Sequence, residues 1–223
     1  MAKLISPHTI VVVGPPGSGK GTQAARIAEL LGWSHIDVGD LLRNAARQNT
    51  DTALTIRDTM QRGQMLPAEI VRPIIETAVL NHQEGFVLDG YARRVEQVEI
   101  LTSWAAAGDI PPIWGIQINV PSADIIERIR QRRYCTGCHH KNYLVNDTDE
   151  AVRCLRCGGH LTKRTDDTDQ TVKQRLETYE RETIPAIKQL KSIARVSVID
   201  GRGSIDEVAQ RISDVIKHEP DAR

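Results

Sequence analysis

The chain has 223 residues, and its 29 lysines and arginines balance 29 aspartates and glutamates, so the formal net charge is zero. That length supports one substantial core with an inserted subdomain, and the balance offers no global attraction for nucleic acid or a membrane surface. No apolar stretch approaches the roughly twenty residues needed to span a bilayer, and Met1-Ala2-Lys3-Leu4-Ile5-Ser6-Pro7 lacks the apolar region of a secretion signal, so a cytoplasmic protein is expected.

The first predicted strand is the run Ile10-Val11-Val12-Val13, over 9–13. It leads into Gly14-Pro15-Pro16-Gly17-Ser18-Gly19-Lys20-Gly21-Thr22 and then a helical pattern that Gly32 stops after Leu31. Strand, glycine-rich turn and helix are the context of a phosphate-binding loop, whose backbone N–H groups and helix N-terminus favour an anion. Gly21 follows the lysine here, and the hydroxyl comes one residue later, at Thr22. A bound nucleoside triphosphate is expected, with Lys20 reaching its terminal phosphates.

A short extended piece over 35–38 comes next, then a helix opened by Gly39-Asp40-Leu41-Leu42-Arg43 and another over 52–62, closed by Gly63. Pro67 suits the first turn of a further helix, with Ile70, Ile74 and Ile75 facing inward. Segment 37–66 has few large apolar residues and reads as a helical insert leaning on the core. Phe86-Val87-Leu88-Asp89-Gly90 is a buried strand ending in a carboxylate. Ligands of open α/β sheets bind at the carboxyl ends of strands, so Asp89 is placed for water-mediated magnesium binding; the simpler role is a cap of the following helix. A helix over 95–106 and a strand over 113–119 complete this step.

Ser122 is the expected cap of the next helix, which places Arg128 and Arg132 at i and i+4 on one face. All four cysteines follow, as Cys135-x-x-Cys138 and Cys154-x-x-Cys157, fifteen residues apart. This spacing matches a closed, structural Zn2+ site far better than a pair of disulfides. His139, His140 and His160 lie close enough to replace a ligand, although exposed loop histidines are the simpler reading. Beyond the module, Asp167 with Gln170 fits a capping pair, and Arg175 lies two turns into that helix. A strand over 196–200 and a helix over 205–217 end the pattern. Alternating strands and helices argue for a parallel sheet with helices on both faces.

Arg43, Arg93, Arg128, Arg132, Arg164 and Arg175 all fall near predicted loops or helix ends, and a guanidinium pairs two phosphate oxygens at once. No general base is evident, which suits an acceptor that is already anionic, such as a nucleoside monophosphate. The loop at 14–22, Gly39-Asp40-Leu41-Leu42-Arg43, Leu88-Asp89-Gly90-Tyr91-Ala92-Arg93, Arg128…Arg132-Arg133, the cysteine module, Arg164-x-Asp166-Asp167 and Thr171-Val172-x-x-Arg175-Leu176 resemble, in order, the motifs of adenylate kinases with a long, zinc-stapled lid. The resemblance implies an α/β P-loop three-layer fold with a central five-stranded parallel sheet. Its core would comprise 1–36, 67–126 and 169–223, its insert for the monophosphate 37–66, and its lid 127–168.

The same resemblance implies a monomer that converts MgATP and AMP reversibly into two ADP. Gly17, Ser18, Gly19, Lys20, Gly21 and Thr22 would hold the ATP phosphates with Arg128 and Arg132, and Asp89 would hold a water of Mg2+. Val38, Arg43, Leu66, Arg93 and Gln97 would line the AMP site, with Arg164 and Arg175. Arg164 and Arg175 would join Arg128 and Arg132 around the transferring group, and Asp166 and Asp167 would fasten the closed lid. Three residues depart from the family pattern. Val38 replaces a hydroxyl facing the base, Ala92 replaces a cis-proline and is expected after a trans bond, and Arg94 replaces a small hydroxyl and adds charge. Two alternatives remain: a monophosphate kinase with another preferred base, and a zinc-ribbon ATPase that uses hydrolysis as a switch.

Overall fold

The computed structural model describes residues 5–80, 82, 84–138, 141–143, 153–163 and 168–218. Its centre is a five-stranded parallel sheet in the order β2-β3-β1-β4-β8. These strands are β1 (Thr9–Val13), β2 (Ser34–Asp37), β3 (Phe86–Asp89), β4 (Ile113–Asn119) and β8 (Arg195–Asp200). Successive side chains of a strand point to opposite faces, and β1 divides accordingly. Val11 and Val13 join Leu88, Phe86, Ile75 and Leu190 in one apolar layer. Ile10 and Val12 join Ile116, Ile27, Ile125 and Ile212 in the other. Both faces are therefore covered, as a parallel sheet requires.

On the first face lie α2 (Val38–Ala45), α4 (Ala68–Val79), α5 (Val95–Ala107) and α8 (Ile184–Ile193), with α3 (Asp51–Gln61) outside α2. On the second lie α1 (Lys20–Leu31), α6 (Ser122–Gln131) and α9 (Ile205–Lys217). Gly32 ends α1 in the left-handed conformation, as expected, and Ser204 with Glu207 forms a capping box at the start of α9. A three-stranded antiparallel sheet, β6-β5-β7, forms separately from β5 (Arg132–Cys135), β6 (Lys141–Tyr143) and β7 (Leu161–Thr162). None of the described helices is long and apolar enough to cross a membrane.

Several local expectations are corrected. Val38 opens α2 instead of ending β2, because the Asp37 carboxylate accepts from Asp40 N at 3.0 Å and caps the helix there. Pro67 precedes α4, and the buried stripe of that helix is Val71, Ile75 and Val79, with Ile70 and Ile74 on its flanks. Ser122 is the first residue of α6 and makes no side-chain cap. That helix ends at Gln131, so Arg132 does not share a helical face with Arg128 but turns out into β5. The cap of α7 (Asp169–Thr178) is Thr168, in a reciprocal pair with Thr171; Asp167 lies outside the described residues. A five-residue π turn, Tyr179–Thr183, joins α7 to α8 and had no signal in the apolar period.

Ile75 has no exposed surface, so Ile75→Ala leaves a void between α4 and the sheet and is expected to cost about 2–5 kcal/mol in urea unfolding. Leu54 is 52% exposed, and Leu54→Ala should stay within about 0.5 kcal/mol of the parent. Equal losses at the two positions would contradict this placement of the core.

Candidate active site

The phosphate-binding loop leaves β1 at the middle of the sheet, beside the carboxyl ends of β3 and β4. Two of its glycines are required by space as well as by backbone angle. At Gly14 (φ +148°) a β-carbon would meet the Ile118 carbonyl at 2.4 Å, and at Gly17 (φ +81°) it would meet Ile129 Cγ1 at 2.8 Å. The loop is thereby wedged between β4 and α6. Helix α1 starts at Lys20 with no acidic residue in its first turn, so its N-terminal N–H groups and dipole favour an anion. Lys20 donates from Nζ to the Pro15 carbonyl at 2.7 Å. Gly17, Gly19, Lys20, Gly21 and Thr22 line a cleft of about 250 Å³, while Ser18 is buried behind them.

The opposite wall comes from the ends of β2 and β3. Asp37 and Asp89 sit side by side in register there. Arg43 bonds Asp40 on its own helix, through both Nε and Nη2, and lies 3.8 Å from Asp37 Oδ1. Asp89 is 7% exposed. After it the chain passes through Ala92, at φ +60° with no cis bond among the described residues, to Arg93. Gln97, buried in the first turn of α5, accepts from Arg93 N through Oε1 at 2.8 Å. The Arg93 side chain is exposed to the cleft, while the protein atoms packed around its guanidinium exclude part of its water. Burial pushes its pKa below the ordinary value, Asp89 works against that, and Arg175 reinforces it. Val38 and Leu66 add apolar surface to this wall.

A third wall brings Arg132 and Tyr134 from β5, Arg175 and Thr178 from α7, and Tyr179 and Thr183 from the π turn. Arg175, Thr178 and Tyr179 share one helical face. The Arg132 guanidinium lies 5.8 Å from the centre of the Tyr134 ring. Thus Lys20, Arg43, Arg93, Arg132 and Arg175 converge with Asp89, Gln97, Val38 and Leu66. Arg128 stands apart: its Nη2 donates to the carbonyls of Gly201 at 2.8 Å and Gly203 at 3.4 Å, on the loop after β8. Arg164, Asp166 and Asp167 lie outside the described residues.

The four cysteines come together at the end of the small sheet, with every sulfur within 4.8 Å of the others. Cys135 and Cys157 are 3.4 Å apart at sulfur, and Cys138 and Cys154 are 3.6 Å apart. Thiolates about 2.3 Å from a tetrahedral ion would be about 3.8 Å from one another, so the cluster is compatible with zinc. The N–H groups of Cys138 and Gly137 donate to Cys135 Sγ and hold that thiol below its usual pKa. His160 pairs with Arg153 and is not in the cluster; His139 and His140 lie outside the described residues.

The sequence profile of the family described as "Adenylate kinase" matches residues 12–195. The chain belongs to the adenylate kinase family. It is 34% identical over 213 residues to an adenylate kinase of Clostridium perfringens, covering 94% of this chain and 98% of the relative. It is 36% identical over 212 residues to that of Carboxydothermus hydrogenoformans, covering 93% and 99%. It is 33% identical over 211 residues to that of Thermodesulfovibrio yellowstonii, covering 93% and 98%. Family membership makes the chain a nucleoside monophosphate kinase, a phosphotransferase that passes a phosphoryl group from ATP to AMP and yields two ADP.

Sequence reasoning missed several residues of the cleft. Asp37, three residues before Asp40, carried a readable capping signal. Tyr134, Thr178, Tyr179 and Thr183 carried none, because β5, the end of α7 and the π turn bring them there. Tyr91, 2% exposed, was quoted in a motif without a role. Burial pushes its phenol up to about 12 from an ordinary 10.0, with Arg72 acting the other way. The folded chain therefore keeps this proton where an unfolded chain loses it. The associated stability is complete below pH 10.0 and disappears as the pH rises through about 12. In urea titrations, Tyr91→Phe should lose less stability than the parent over that alkaline range. Parallel curves would contradict the assignment.

Proposed function

We propose the following division of labour for the family reaction. Lys20 and the N–H groups of Gly17–Thr22 (positions 17 to 22) bind the ATP phosphates, while Arg43 and Arg93 grip the phosphate of AMP. The two nucleotides meet between the phosphate-binding loop and the ends of β2 and β3. Arg132 and Arg175, with Arg164, neutralise the charge spread over the transferring phosphoryl group, while Arg128, held on the loop after β8, borders the ATP side. That transfer requires positioning and charge compensation more than a base. Asp89 holds a water of the magnesium that accompanies ATP. The observation that carries this reading is the convergence of Lys20, Arg43, Arg93, Arg132 and Arg175 on one cleft at the carboxyl ends of parallel strands.

Transfer between two nucleotides requires both to be enclosed together, so the walls of the cleft move. The insert 37–66 closes over AMP and the lid 127–168 over ATP, leaving 1–36, 67–126 and 169–223 as the core. Closure excludes water, which would otherwise take the phosphoryl group; Asp166 and Asp167 fasten the closed lid. Zinc on Cys135, Cys138, Cys154 and Cys157 keeps the lid rigid, because so small a unit cannot build an apolar core of its own. Gln97 reads the acceptor's adenine. Its Oε1 is engaged by Arg93 N, which leaves Nε2 as the donor toward the base.

Arg93→Gln should raise KM for AMP by about 100-fold or more and change KM for MgATP little, since a charge-assisted phosphate contact is lost on one substrate only. Equal effects on both would contradict the assignment. Across AMP, GMP, CMP and UMP with MgATP, the highest kcat/KM is expected for AMP; a preference for another base would keep the mechanism and change the acceptor. Cys135→Ser, or chelation of the metal, should lower the melting temperature more than the single-turnover rate. The reverse order would remove the structural role given to zinc.

A further inference from the structure

Arg94 follows the arginine assigned to the AMP phosphate, and the sequence suggests that its charge joins the acceptor site. The structure turns it elsewhere. Its Nε lies 2.8 Å from Glu182 Oε2, and its Nη1 lies 3.5 Å from Glu96 Oε1. Glu182 belongs to the π turn Tyr179–Thr183, whose Tyr179 and Thr183 face the cleft one turn and two turns beyond Arg175. Arg181 reaches the other oxygen of Glu182 at 3.1 Å. The side chains of Arg94 and Glu182 are only 27% and 25% exposed, so solvent screens this pair less than an open surface pair.

Both segments joined by this pair have a reason to need it. Ala92 sits at φ +60°, a region that residues with a β-carbon adopt rarely. The following peptide is held by the bond from Arg93 N to Gln97 Oε1. A π turn is likewise an irregular stretch of helix, of a kind found often at functional sites. Here it links α7, which carries Arg175, to α8 against the sheet.

We propose that the Arg94–Glu182 ion pair fixes the Arg93 loop against the π turn, so that the acceptor arginine and Arg175 are held in one rigid frame. Arg94 is a positioning residue: it acts through Arg93 and touches neither nucleotide. The inference rests on the assignment of Arg93 to the AMP phosphate.

The test is a double-mutant cycle read in KM. Arg94→Ser and Glu182→Gln should each raise KM for AMP about two- to five-fold, in the range of a partly shielded ion pair, with KM for MgATP unchanged. The double variant should be no worse than either single one, and Arg94→Lys should stay within about twofold of the parent. Circular dichroism and melting curves on each variant separate this from misfolding, which would lower kcat without favouring one substrate. Unchanged KM for AMP in both single variants, with the Arg93→Gln effect intact, overturns the inference and leaves the functional reading standing. Additive effects of the two substitutions also overturn it. If Arg93→Gln itself leaves KM for AMP unchanged, both fall.

Discussion

Five cationic side chains, Lys20, Arg43, Arg93, Arg132 and Arg175, line one cleft beside Asp37 and Asp89. Arginine cannot shed its charge to relieve such crowding, so the site holds together only with anions among the cations. In the structure described here the carboxylates supply them: Arg43 is bonded to Asp40 and lies near Asp37, and Asp89 supports Arg93. Phosphates offer stronger, bidentate partners to the same guanidinium groups. A bound phosphate can therefore take the place of a carboxylate beside these guanidinium groups.

That concentration of charge depends on the parallel sheet. Asp37 and Asp89 are neighbours because β2 and β3 run in register and end together. The phosphate-binding loop lies beside them because β1 is the next strand. An antiparallel neighbour would carry its carboxyl end to the far edge. The tight loop at Gly14 and Gly17 depends in turn on β4 and α6, whose Ile118 and Ile129 leave no room for a β-carbon. Apolar packing on both faces therefore holds the backbone that carries the charged groups, and transfer depends on that positioning.

How much of this was legible in the sequence differs from element to element. Strand β1 and helix α9 have the limits expected of them, the strand because an unbroken β-branched run leaves little choice. The cysteine cluster followed from spacing alone. Helix α6 misled, because the Arg128–Arg132 interval fits a helix and no glycine or proline follows Gln131 to stop it. The chain leaves the helix there because β5 pairs with β6 and β7, a tertiary demand with no local mark. Thr168 and Asp167 are both competent caps, so sequence could not choose between them. Ala92 was expected after a trans bond; its left-handed φ is set by the turn that brings Arg93 back over Gly90.

The central claim is that this cleft passes a phosphoryl group to an anionic nucleotide and not to water. The most direct measurement follows ADP and inorganic phosphate separately, with MgATP alone and with MgATP plus AMP, on the metal-loaded chain. The account predicts ADP formation that depends on AMP, in a ratio of two ADP for each ATP and AMP consumed, with phosphate release at least about a hundredfold slower. Phosphate release that keeps pace with ATP loss and ignores AMP would contradict it, and would make the arginine cluster the machinery of an ATPase.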